Sequence, residues 1–122
     1  MKKLYLEDLS GLTEDEVKRH IISSYEVDAS EVDKYEVLVA YESVGSWGCD
    51  SSSWILLKDK ETGKLFETHG GHCSCYGFEG QFEPEETTVE YLKSDKFYFS
   101  CGGYDNSAEE NRRLIKEYLN NL

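Results

Sequence analysis

Apolar residues change period repeatedly along the chain, and the changes separate its elements. Leu4, Tyr5 and Leu6 form an extended start. After Thr13-Glu14-Asp15-Glu16, the residues Val17, Ile21 and Ile22, with Leu12 before and Tyr25 after, recur at helical spacing, which predicts an amphipathic helix to about Ser24. The threonine hydroxyl can accept a backbone N–H while the glutamate three residues on reciprocates, a capping box that opens the helix. Glu26 to Asp33 reads as an acidic loop or second short turn. From Tyr35 the period drops to two, with Val37, Val39 and Tyr41 alternating with Glu36, Leu38 and Ala40 in a β-branched and aromatic run that predicts a strand.

Ser43 to Ser53 is rich in glycine and serine, and reads as a connection. Trp54-Ile55-Leu56-Leu57 and Leu65-Phe66-Glu67-Thr68 follow as two strands around Lys60-Glu61-Thr62-Gly63, where Gly63 can take the left-handed position that closes a four-residue hairpin. Centring that hairpin pairs Asp59 with Lys64, so facing residues carry numbers that sum to about 123. Pro84 to Leu92 predicts a short helix capped by Thr87 and Glu90, and Phe97 to Cys101 a last strand ended by Gly102-Gly103. From Ser107 onward, Leu114, Ile115, Tyr118, Leu119 and Leu122 share one face of a terminal amphipathic helix. These elements predict one small α+β domain over residues 1–122, with a mainly antiparallel sheet of about four strands packed with an N-terminal and a C-terminal helix.

Composition sharpens the picture in two ways. At 39% apolar residues, with nine Tyr, five Phe, two Trp and a single proline, a packed core is available. The 25 Asp and Glu against 13 Lys and Arg leave a formal charge of −12. Such a field repels phosphate backbones and anionic lipids, so direct nucleic-acid or membrane binding is not expected. A basic partner suits it, including one that itself holds nucleic acid. Two lysines without a following apolar run do not make a signal peptide, so the expected compartment is a reducing cytoplasm, where thiols stay free or bind metal.

The candidate chemistry is concentrated in Gly70-Gly71-His72-Cys73-Ser74-Cys75-Tyr76-Gly77. Extending the hairpin ladder sets Cys49 opposite Ser74, beside Cys73 and Cys75. Zinc needs four ligands converging at about 2.0–2.3 Å. The expected set is Cys49, His72, Cys73 and Cys75, with flanking glycines letting neighbouring residues reach one ion. Cys101 is the reserve ligand, and His69, facing Trp54 by the same count, is structural. Three thiolates and one imidazole close the shell, so the zinc would be structural. Reduced metal-free thiols packed as small hydrophobes remain an alternative, and a disulfide is disfavoured by the compartment. His72 before Cys73 is a nominal catalytic pair. Adjacent residues point apart, however, and nearby acids raise a thiol pKa, so the chain is expected not to be an enzyme.

Three acidic clusters stand out: Glu14 to Glu16; Glu26, Asp28, Glu31, Asp33 and Glu36; and Glu79, Glu83, Glu85, Glu86 and Glu90. Each is accounted for by solubility and helix-end charge; together they can imitate a phosphate backbone and steer association with a basic groove. Glu79, Glu83, Glu85 and Glu86 are the candidate partner-binding residues. Trp47, Tyr76, Phe78 and Phe82 are candidate anchors or core residues.

The segment from Gly70 to Thr88, with Gly63-Lys64-Leu65-Phe66-Glu67 before it, resembles a family of small phage and prophage proteins over about a fifth of the chain. His72, Cys73, Cys75, Tyr76, Gly77, Glu79, Gln81, Pro84 and Glu85 fit its pattern, while Phe78 and Phe82 replace an expected leucine and tryptophan. Cys49 and Cys101 lie outside the motif. The whole chain also looks like zinc-binding type II-A anti-CRISPR proteins. That resemblance implies a phage-encoded, non-enzymatic inhibitor acting in the host cytoplasm, which binds the type II RNA-guided DNA nuclease and hinders target DNA loading. Those nucleases hold their heteroduplex in positively charged channels. The alternatives are a zinc-stabilised phage accessory protein that binds another host factor, and a thiol-dependent enzyme.

Overall fold

The computed structural model describes residues 3–7, 9–43, 51–72, 82–94 and 106–121. Its elements run β1 (Leu4–Glu7), α1 (Glu14–Tyr25), α2 (Ala29–Asp33), β2 (Tyr35–Ser43), β3 (Ser51–Asp59), β4 (Leu65–His72), β5 (Glu85–Thr87), α3 (Val89–Lys93) and α4 (Asn106–Asn120). The strands form one sheet in the order β1-β2-β3-β4-β5. β1 lies parallel to β2, and the other three pairings are antiparallel. The α+β class and both terminal helices are as the sequence predicts, and the described residues hold five strands where about four are predicted.

One of them, β5, comes from a segment read as helix. Glu85-Glu86-Thr87 has no strand signature of its own, yet it pairs with Leu65, Phe66 and Glu67, because pairing context outweighs local preference in a strand. The helix therefore starts later. Thr88 caps α3 by accepting from the Tyr91 N–H, one residue on from the predicted Thr87 and Glu90 box. Ser51 to Ser53, read as connection, continues β3. The predicted strand from Phe97 to Cys101 lies outside the described residues.

Helices cover both sheet faces. Val17, Ile21 and Tyr25 of α1 and Val32 of α2 pack with Tyr35, Val37, Ala40, Ile55 and Leu57. On the opposite face, Ile115 and Leu119 of α4 and Leu92 of α3 pack with Leu6, Leu38, Val39, Tyr41, Trp54 and Leu56. This explains the uninterrupted run from Trp54 to Leu57: a strand buried on both sides has no polar face to alternate with. At about 1.5–3 kcal/mol for each fully buried large side chain, these two clusters dominate the stability of the fold.

A register shift between Val37 and Val39 inserts Leu38 into β2. Leu38 and Val39, adjacent in sequence, thus join the same cluster. The backbone of Val37 beside this irregularity is satisfied by side chains: its N–H donates to Glu14 Oε2 at 2.8 Å, and its carbonyl accepts from the Tyr5 hydroxyl at 3.0 Å. Burial, then the nearby Glu14 charge, pushes the Tyr5 phenol above its ordinary range.

Local signals hold where they were specific. Thr13 Oγ1 accepts from the Glu16 N–H at 3.2 Å and Glu16 Oε1 from the Thr13 N–H at 3.1 Å, completing the capping box. At the β3–β4 turn, Gly63 has φ 75° and Asp59 Oδ1 accepts from the Glu61 and Thr62 N–H groups at 2.8 and 3.0 Å. The Asp59 N–H closes the turn on the Lys64 carbonyl at 2.8 Å.

Candidate functional site

The β3–β4 ladder runs in the predicted register. Lys58 faces Leu65, Trp54 faces His69 and Ser51 faces His72. It brings the end of β2 at Ser43, the start of β3 at Ser51 and the end of β4 at His72 to one end of the sheet. Of the predicted zinc set, only His72 falls within the described residues, by its backbone at that end. Cys49, Cys73 and Cys75, the reserve Cys101, and Glu79, Trp47, Tyr76 and Phe78 lie outside them. Among the described residues no group of three or more His, Cys, Asp or Glu is arranged to hold a metal ion.

The three acidic clusters are used differently. In the first, Glu14 holds the Val37 amide and lies 3.5 Å from the Lys3 ammonium, and Glu16 closes the capping box, where the Thr13 N–H keeps its carboxyl below the ordinary value. In the second, Glu36 pairs with Lys3 and Glu31 lies 3.6 Å from Lys34. The third is the least engaged. Glu83, Glu85, Glu86 and Glu90 are all exposed, and among the described residues only Glu86 has an ion pair, at 3.7 Å from Lys64. Glu85 and Glu86 sit on β5, the last strand of the described sheet, with Glu83 just before it. Phe82 packs edge-on against Tyr25, with centroids 5.9 Å apart, and so serves the core.

Two buried carboxylates organise polar clusters that sequence reading missed. Glu42, 5% exposed, lies at the far end of β2, its Oε2 2.7 Å from His20 Nε2. Ser24 Oγ is 3.2 Å from the same nitrogen. A Ser-His-acid relay needs the acid and the hydroxyl on opposite ring nitrogens, so this trio clasps α1 to β2 and is not a nucleophile site. Beside it the Tyr25 hydroxyl bonds to Ser53 Oγ, and burial pushes that phenol up to about 12. The i, i+4 spacing of His20 and Ser24 was the one readable clue.

On the α4 face, Glu67 Oε1 lies 2.7 Å from His69 Nε2. Burial alone would raise the Glu67 carboxyl; His69, Thr87 and Trp54 around it outweigh that and hold it below the ordinary value. His69 faces Trp54, the register counted from the sequence. Lys18 is also buried, and burial together with the Lys60 charge holds its ammonium below the usual range while Glu14 and Asp33 oppose the shift.

No family model, curated protein or solved structure matches the chain. No helix among the described residues is long and apolar enough to cross a membrane.

Proposed function

We propose that the chain is a phage-encoded, non-enzymatic inhibitor that docks on the basic surface of a type II RNA-guided nuclease and hinders its loading of target DNA, with a structural zinc ion fixing the end of the sheet beside the docking face. The observation that carries the docking surface is the third acidic cluster: carboxylates of Glu83, Glu85 and Glu86 stand exposed at the β5 edge, with only Glu86 ion-paired among the described residues, on a chain of net charge −12. Charge complementarity of this kind speeds encounter with a positive groove. The choice of partner rests on the motif from Gly70 to Thr88 and its resemblance to phage proteins of this class. Such a protein would act in the host cytoplasm.

The zinc reading draws its support from register and connectivity. Ser51 and His72 face one another. Cys73 is bonded to His72 and Cys49 stands two residues from Ser51, so at about 3.8 Å between successive Cα atoms both thiol positions begin within reach of one ion. Cys75 would complete the set, with His72 supplying the imidazole. A closed shell of this type contributes about 10–16 kcal/mol of apparent binding free energy to folding.

Purified protein mixed with the nuclease and its guide should form a stoichiometric complex on size exclusion, and association should slow several-fold as ionic strength rises through about 0.1 M, where the screening length falls to about 10 Å. Replacing Glu83, Glu85 and Glu86 together by glutamine should slow association without changing the melting temperature. Elemental analysis should find one zinc per chain, lost in Cys73→Ser and Cys75→Ser. Absence of a complex, or an association rate indifferent to salt, overturns the docking reading; metal-free wild-type protein overturns the zinc reading.

A further inference from the structure

We draw no further inference here: the strongest candidate, the Glu67–His69 pair on the α4 face of β4, offers a single imidazole with no metal-ligating group completed around it among the described residues, and its hydrogen bonds already belong to the buried polar cluster described above.

Discussion

Replacing Glu14 by alanine tests the joint between α1 and the irregular strand β2. The Val37 N–H donates to Glu14 Oε2 at 2.8 Å, and Val37 is fully buried. Leaving a buried donor without its acceptor costs about 1–3 kcal/mol, and removing an acid from the first turn of a helix costs about 0.3–1 kcal/mol more. The Lys3 ion pair adds little, because Lys3 and Glu14 are each about a quarter to a third exposed, at 26% and 31%, and Lys3 keeps Glu36. Water entering past this partly exposed side chain favours the lower part of the sum, so the expected loss is about 2 kcal/mol. With a urea slope of about 1.5 kcal/mol/M for a domain of this size, the midpoint should fall by roughly 1.3 M while the slope stays unchanged. Glu14→Gln keeps an acceptor oxygen and should lose less than half as much. Equal losses in the two variants, or a loss below about 0.5 kcal/mol in the alanine variant, would refute the assignment of this carboxylate as the partner of the Val37 amide.

Ile21 and Ile115 lie in different clusters on opposite faces of the sheet, so Ile21→Ala and Ile115→Ala should each cost about 2–5 kcal/mol. Residues without shared partners combine additively to within about 0.5 kcal/mol; strong coupling in a double-mutant cycle, made in a stabilised background, would contradict two separate layers. Glu67 has its folded-state carboxyl below the ordinary value of 4.5, so its contribution is present above that pH and disappears as pH falls through the lower folded value. Chemical denaturation from pH 6 downward should show a shallower loss in Glu67→Gln than in wild type, and parallel curves would count against the reading. Gly63 has φ 75° with open space around it, so Gly63→Ala should cost about 1 kcal/mol from backbone strain alone; Gly63→Asn, which tolerates that conformation better, should recover part of it.

Two sequence signals for a local bond survived, while the predicted Thr87 and Glu90 box gave way to a cap at Thr88. The threonine and glutamate of the capping box meet as expected, and Gly63 sets a turn whose register carries through to Ser51 and His72. Because that register follows from a turn of fixed length, it could be counted from sequence. What escaped depended on residues distant in the chain. β1 pairs in parallel with β2 across two intervening helices, which no local pattern encodes. β5 is a strand because β4 has an edge to offer, despite its two glutamates. The carboxylates of Glu42 and Glu67 carry no local signal of burial, because it is the assembled sheet that sets them against His20 and His69. For the candidate site, the ladder that converges on it was legible, as was its charge. Which acids were already committed to internal bonds was not, since that depends on where Val37 and Lys3 come to lie.

The irregularity at Leu38 acts as a phase shifter within β2. Before it, odd-numbered Tyr35 and Val37 serve the α1 layer; after it, even-numbered Ala40 does, and Tyr41 turns to the α4 layer. Deleting Leu38 would restore a regular pleat and leave every downstream pairing in place, whereas deleting Ala40 would exchange the allegiances of the residues after it, sending the Tyr41 ring into the slot shaped for alanine. Away from that irregularity, β2 can therefore accept changes of side chain far more readily than changes of length, and insertions or deletions should be confined to its connections and to the position of Leu38 itself.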